Sequence, residues 1–210
     1  ARSGKIFRST WCKACQDRKL DAGALLAENV WACVRILREV NPKGEIYVWS
    51  DMFDPHHNAH KDYYLVRGDL AGSWEGLDKD IIIGAWHVGA RDKSLPFFAE
   101  RGHRIVIAGY YDSDPAGVRQ WLDSAKKVKG VTGVMYTTWQ QKYGDIEKFA
   151  AIVNEYRCRQ VKDAFAAAAV RVPASRRRRG AGFAPTAPWA GSAATTSPSS
   201  ASVPRPTPCD

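Results

Sequence analysis

The chain has 210 residues, 45% of them hydrophobic and 11% aromatic, with 31 Lys and Arg against 22 Asp and Glu for a formal net charge of +9. That is chain enough for one ordinary domain with its own core, and no uninterrupted apolar run approaches the roughly eighteen residues needed to cross a bilayer. The charge is a poor argument for a nucleic-acid partner: residues 171 to 210 hold six Arg and one Asp, so five of the nine surplus charges lie there and the rest are mixed with acids over the first 170 residues.

The N-terminal stretch ARSGKIFRST has neither the apolar run nor the small-residue cleavage site of a signal peptide. Cysteines stand at 12, 15, 33, 158 and 209, an odd and irregular set that does not look like a disulfide framework and mildly favours a reduced compartment, the cytoplasm. Cys12 and Cys15 form one CxxC. With the histidines of DPHHNAH at 54 to 60 it makes a sparse zinc set, and as a thioredoxin-like pair it lacks a good strand before it. The plainer reading is two small apolar residues near a helix start, and no metal or cofactor is expected.

Residues 21 to 39 place Ala22, Leu26, Val30, Cys33, Val34 and Leu37 at helical spacing, and NPKG ends that helix. EIYVWSDMFD reads as a strand, as does DIIIGAWH at 80 to 87, which precedes a helix around SLPFFAER that Gly102 can close. RIVIAGYYD at 104 to 112 opens with an apolar β-branched run suited to a strand buried on both faces. Asp114-Pro115 supplies a capping side chain and a first-turn proline to a helix carrying Val118, Trp121, Leu122, Ala125 and Val128. VTGVMYTTW at 131 to 139 is a fourth strand, and Asp145 opens a last helix through Ile146, Phe149, Ala150, Val153 and Tyr156.

Four βα units predict an α/β fold with a parallel sheet, either open and doubly wound or part of a (β/α)₈ barrel. No strand-to-helix turn carries the Gly-rich dinucleotide fingerprint, which favours the partial barrel of about four units. Residues 1 to 171 are expected to form it. From Val172 to Asp210 nearly everything is Ala, Pro, Ser, Thr, Gly or Arg, a composition expected to be a disordered tail in which RRRR at 176 to 179 is a solvated charge run.

All four strands end in polar aromatics and carboxylates: Trp49 with Asp51, Trp86 with His87, Tyr110 and Tyr111 with Asp112, and Tyr136 to Trp139. In a βα barrel the carboxyl ends of the strands converge on the face that holds the active site. Indole and phenol faces pack on the apolar face of a pyranose while carboxylates accept from its hydroxyls, so a carbohydrate ligand is expected. The competing reading is that these residues only cap the core boundary. Alternation along an extended strand puts Tyr110 and Asp112 on one side and leaves Tyr111 to pack.

The runs IYVWSDMFDPHHNAH, YYLVRGDLAGSWEGLD, IIIGAW, FFAERGHRIVIAGYYD and GVMYTTWQQKY resemble the C-terminal half of the catalytic barrel of a glycoside hydrolase family 20-like protein, over roughly residues 11 to 156. Members are β-N-acetylhexosaminidases and their relatives. The resemblance implies strands five to eight of the barrel, with Trp49, Trp86 and Trp139 walling a sugar subsite. It also implies that Tyr110 meets the acetamido group and that Asp112 bonds a hydroxyl or the tyrosine; Asp51, from the strand-end pattern alone, is a further candidate sugar contact.

The family's substrate-assisted chemistry uses an Asp-Glu pair at the end of the fourth strand, one member orienting the acetamido group and the other protonating the leaving oxygen. ARSGKIFRSTWCKACQDRKL, the corresponding region, has no such dipeptide. The expectation is therefore a half barrel without its general acid, inactive, with Glu75, Asp51 and Asp54 the carboxylates nearest to a replacement role. Glu75 also reads plainly as a loop surface charge. The alternative is a carbohydrate-binding or scaffold module that never had activity, and either version predicts no nucleic-acid or membrane partner and self-association through the open half barrel.

Overall fold

A computed structural model describes residues 12–63 and 66–170, those beyond 158 by backbone alone. Its first compact unit ends at Tyr156. The elements are α1 (Lys13–Asp17), α2 (Ala22–Val40), β1 (Tyr47–Trp49), β2 (Ile82–Ala85), α3 (Arg91–Glu100), β3 (Ile105–Ala108), α4 (Val118–Ala125), β4 (Val131–Met135) and α5 (Ile146–Val170). Short 3₁₀ turns cover Asp51–Phe53, Ser73–Gly76, Val88–Ala90 and Pro115–Gly117. The expected tail at 172–210 lies outside the described residues.

The four strands form one all-parallel sheet in the sequential order β1-β2-β3-β4. The fold is α/β and compatible with part of a βα barrel. Each strand is shorter than the segment in which the sequence places it, because the chain after Trp49, Ala85, Ala108 and Met135 leaves the ladder and turns into loops.

One sheet face meets the helices. Ile83, Ile105 and Ile107 are fully buried there among Leu95 and Phe98 of α3 and Trp121 of α4, with Leu26 and Val34 of α2 in the same cluster. The other face carries Tyr47 and Trp49 of β1, Gly84 of β2, Val106 of β3 and Gly133 of β4, matched in register across the strands. Gly84 is where it must be. The Trp49 indole lies over it, and a Cβ at that position would stand 3.1 Å from Trp49 Cε3. A second cluster, of Tyr110, Val118, Leu122, Phe149 and Ile152, joins the end of β3 to α4 and α5.

Among the described residues no α-helix lies between β1 and β2. α2 occupies that flank, packed so closely on the turn Ser73–Gly76 that a Cβ on Gly76 would fall 2.4 Å from Ala27 Cα and one on Gly23 2.1 Å from the Ala71 carbonyl oxygen. α3 ends as the sequence indicates: Gly102 takes φ +87, its N–H reaches the Ala99 carbonyl at 2.9 Å, and the His103 N–H reaches Phe98 at 3.2 Å. Asp114 caps the next segment, its Oδ1 accepting from the Ala116 N–H at 2.9 Å, with Pro115 in the first turn.

Candidate functional site

The strand ends bring four rings into one row. Trp49, the last residue of β1, lies 6.2 Å from Trp139, which follows β4; Trp139 lies 6.3 Å from Tyr111, after β3; and Tyr111 stacks on Trp86, after β2, at 5.9 Å and 7°. Trp49, Trp139 and Tyr111 are 40%, 58% and 56% exposed, so the row is open to solvent on rings large enough to have been buried had packing been their purpose. Strands in a sheet are spaced about 4.8 Å apart, which would separate β1 from β4 by about 14 Å in a flat sheet. The indole contact between their two ends spans that width.

Beyond Trp86 the row continues into imidazoles. His57 sits edge-on to Trp86 at 4.6 Å and stacks on His87 at 4.2 Å. Burial, and then the neighbouring His87, push the His57 pKa below its ordinary value, and its Nδ1 is buried with no hydrogen-bond partner among the described residues. At the same end a cavity of about 360 Å³ opens between the loops after β2 and β3, walled by Trp86, Tyr111 and Trp121 with Ser113, Asp114 and Gln120 as polar lining.

Tyr110 stands elsewhere, and the expectation that it faces a ligand while Tyr111 packs is reversed. Tyr110 is 1% exposed, stacked on Tyr136 at 4.2 Å and set edge-on to Phe149, and its hydroxyl donates to Asp145 Oδ2 at 3.0 Å. Hydrogen bonding with Tyr136, burial and the Asp145 carboxylate push its phenol pKa well up. The reason for the reversal is geometric. Alternation holds only along extended backbone, whereas β3 stops at Ala108 and the chain turns through Asp112 at φ +51.

Asp112 has both carboxylate oxygens engaged. Oδ1 accepts from the Thr138 hydroxyl, and Oδ2 accepts from the backbone N–H groups of Trp139 at 2.6 Å and Gln140 at 3.0 Å. Desolvation raises its pKa, but these three donors outweigh it and hold the carboxyl below its usual range. Asp112 therefore fixes the loop that presents Trp139. Asp51, in the turn after β1, accepts from Asn58 Nδ2 at 3.4 Å, and the buried Asp54 accepts from the His56 N–H at 2.8 Å. Glu75 is exposed in the turn that packs on α2. Among the described residues no group of three or more His, Cys, Asp or Glu side chains is placed to hold a metal.

Sequence reasoning assigned Tyr111 to packing, weighed His57 only as part of a sparse zinc set, and named His87 at a strand end without giving it a role. The signal for Tyr111 was its place directly after the other tyrosine; that for His87 was its position two residues past the end of β2, beside Trp86, whereas His57 lies in the loop after the Asp51–Phe53 turn with no comparable local signal. What the fold and the row define is an α/β protein with an aromatic face across the carboxyl ends of a parallel sheet. No protein-family model, curated protein or solved structure matches the chain.

Proposed function

We propose that this aromatic row binds carbohydrate, and that the chain is the second half, strands five to eight, of a glycoside hydrolase family 20-like catalytic barrel. The observation that carries the reading is the contiguity of Trp49, Trp139, Tyr111 and Trp86, one ring from each of the four strand ends, all in contact and mostly exposed. A sugar ring offers axial C–H groups to such a surface and hydroxyls to its polar margin, here Ser113, Asp114 and Gln120 in the adjoining cavity. The sequential parallel order and the contact between the two outer strand ends support the partial barrel.

The parent activity implied by the resemblance is release of terminal N-acetylhexosamine. This chain contains no Asp-Glu dipeptide. The carboxylates on the strand-end loops are already occupied, Asp112 by three donors and Asp54 by a backbone N–H. That occupancy favours a second reading, binding without catalysis, over an acid drawn from this set. Loss of a general acid costs about a hundredfold to ten-thousandfold in rate, so hydrolysis of an aryl N-acetylglucosaminide by this chain should be undetectable. Turnover that Glu75→Gln abolishes would overturn this and make Glu75 the acid.

Titration with N-acetylglucosamine and a short oligomer of it, followed by tryptophan fluorescence, tests the binding itself. The emission should change saturably, and Trp139→Ala should weaken the interaction about tenfold. A flat response to both sugars, or an unchanged affinity in Trp139→Ala, would refute the assignment.

A further inference from the structure

The Cys-x-x-Cys pair at the start of α1 does not do what small apolar residues at a helix start do. α1 buries no residue; Cys12 is exposed and Cys15 half-buried, and neither belongs to a hydrophobic cluster. The two sulfurs nevertheless point at each other, 3.2 Å apart, and the Cys15 N–H donates to Cys12 Sγ at 3.4 Å. Cys12 is the N-cap, with extended backbone, so a one-turn helix holds both thiols on the same side. We infer that Cys12 and Cys15 form a reversible dithiol–disulfide site that exchanges with low-molecular-weight disulfides, glutathione disulfide being the representative.

The two sulfurs have different roles. Cys12 is the more accessible, and the Cys15 backbone N–H, followed by the Cys15 thiol, favours its thiolate against a smaller opposing effect of burial. The Cys12 thiolate attacks one sulfur of glutathione disulfide, forming a mixed disulfide and expelling one glutathione thiolate. Cys15, after losing its proton to solvent, attacks Cys12 Sγ and expels the second. Two protein thiols are oxidised to one disulfide, one glutathione disulfide is reduced to two thiols, and the two protons end on the departing glutathiones. The reverse sequence regenerates the dithiol.

The full chain supplies its own control in Cys33, a free exposed cysteine on α2 whose Sγ lies 3.9 Å from Asn29 Oδ1. The chain is equilibrated in buffers of stepped glutathione to glutathione-disulfide ratio, quenched by alkylation, and mapped by mass spectrometry. An internal Cys12–Cys15 bridge should form in a fraction that follows the ratio and return to thiols in excess glutathione. Cys15→Ser should accumulate the mixed disulfide on Cys12, with several-fold less on Cys15 in Cys12→Ser. The inference is overturned if both cysteines stay reduced in the oxidising buffers, if the bridge fails to reverse, or if glutathione loads Cys12, Cys15 and Cys33 equally without a bridge.

Discussion

At the residue scale the neighbours Tyr110 and Tyr111 divide the work of the site, and their replacement separates stability from binding. Tyr111→Ala should leave the melting temperature nearly unchanged while weakening sugar binding, because it removes an exposed ring from the row. Tyr110→Ala should do the opposite, opening a hole between Val118, Leu122 and Phe149 and lowering the melting temperature markedly. Equal effects of the two substitutions on melting would contradict the assignment. His57 gives a pH signature. Its folded pKa is depressed, so as pH falls below about 6.5 the unfolded chain takes up a proton that the folded chain resists, and stability declines toward and through the folded pKa. His103, buried against the Ile81 carbonyl, is depressed in the same direction, chiefly by burial. Thermal melts between pH 7.5 and 5 should therefore slope downward, and His57→Phe should flatten part of that slope; a variant with the wild-type slope would remove His57 from the account.

Asp112 acts in a lower window. Its depressed folded pKa means its contribution is whole above about pH 4 and disappears as pH falls through the folded value, so the stability difference between the wild type and Asp112→Asn should shrink to nothing in acid. At neutral pH the same variant should loosen the loop at 138–140 and lower sugar affinity much as Trp139→Ala does.

At the scale of elements, α2 is held by backbone proximity as much as by side chains. Gly76→Ala places a methyl 2.4 Å from Ala27 Cα, so α2 or the turn must shift, at about 1–3 kcal/mol, readable as a lower denaturant midpoint. Phe98→Ala, in the core between α3 and the sheet, should cost about 3–5 kcal/mol by the same measurement. Much of this layer was legible in the sequence. The helix predicted over 21 to 39 is α2, the Ile-Val-Ile-Ala run is β3, and Asp114-Pro115 and Gly102 mark real boundaries, because caps and periodicity are local signals.

The strand ends were harder to read. That they gather polar aromatics was visible, but which face each ring takes depends on where the strand stops, and β3 stops at Ala108, ahead of both tyrosines. The carboxylate of Asp112 was expected to bond a hydroxyl or the tyrosine, and it is instead held by Thr138, Trp139 and Gln140, which lie 26 to 28 residues further along the chain and carry no local signal. The close packing of α2 on the loop before β2 rests on contacts of Gly23 and Gly76 that no periodicity encodes.

At the scale of the whole molecule, β1 and β4 each keep one edge without a strand partner among the described residues, and Tyr47, Trp49 and Met135 on or beside those edges are 57%, 40% and 39% exposed. Open parallel edges with apolar side chains favour association. The chain should therefore sediment or scatter as a dimer or larger species at micromolar concentration, and a monodisperse monomer with one sharp cooperative melt would rule that out.

The contact between Trp49 and Trp139 has an optical consequence. Two indoles with centroids 6.2 Å apart and planes inclined at 43° are close enough for their electronic transitions to couple, and a skewed pair of coupled chromophores rotates polarised light with a paired positive and negative band. The folded chain should carry such a couplet in its circular dichroism, and either Trp49→Phe or Trp139→Phe should erase it while leaving the helical signal in place. Since the two rings belong to opposite ends of the sheet, the couplet is an unlabelled ruler for the sheet's curvature. A sugar that wedged the indoles apart would extinguish it, whereas one lying flat across both would leave it standing.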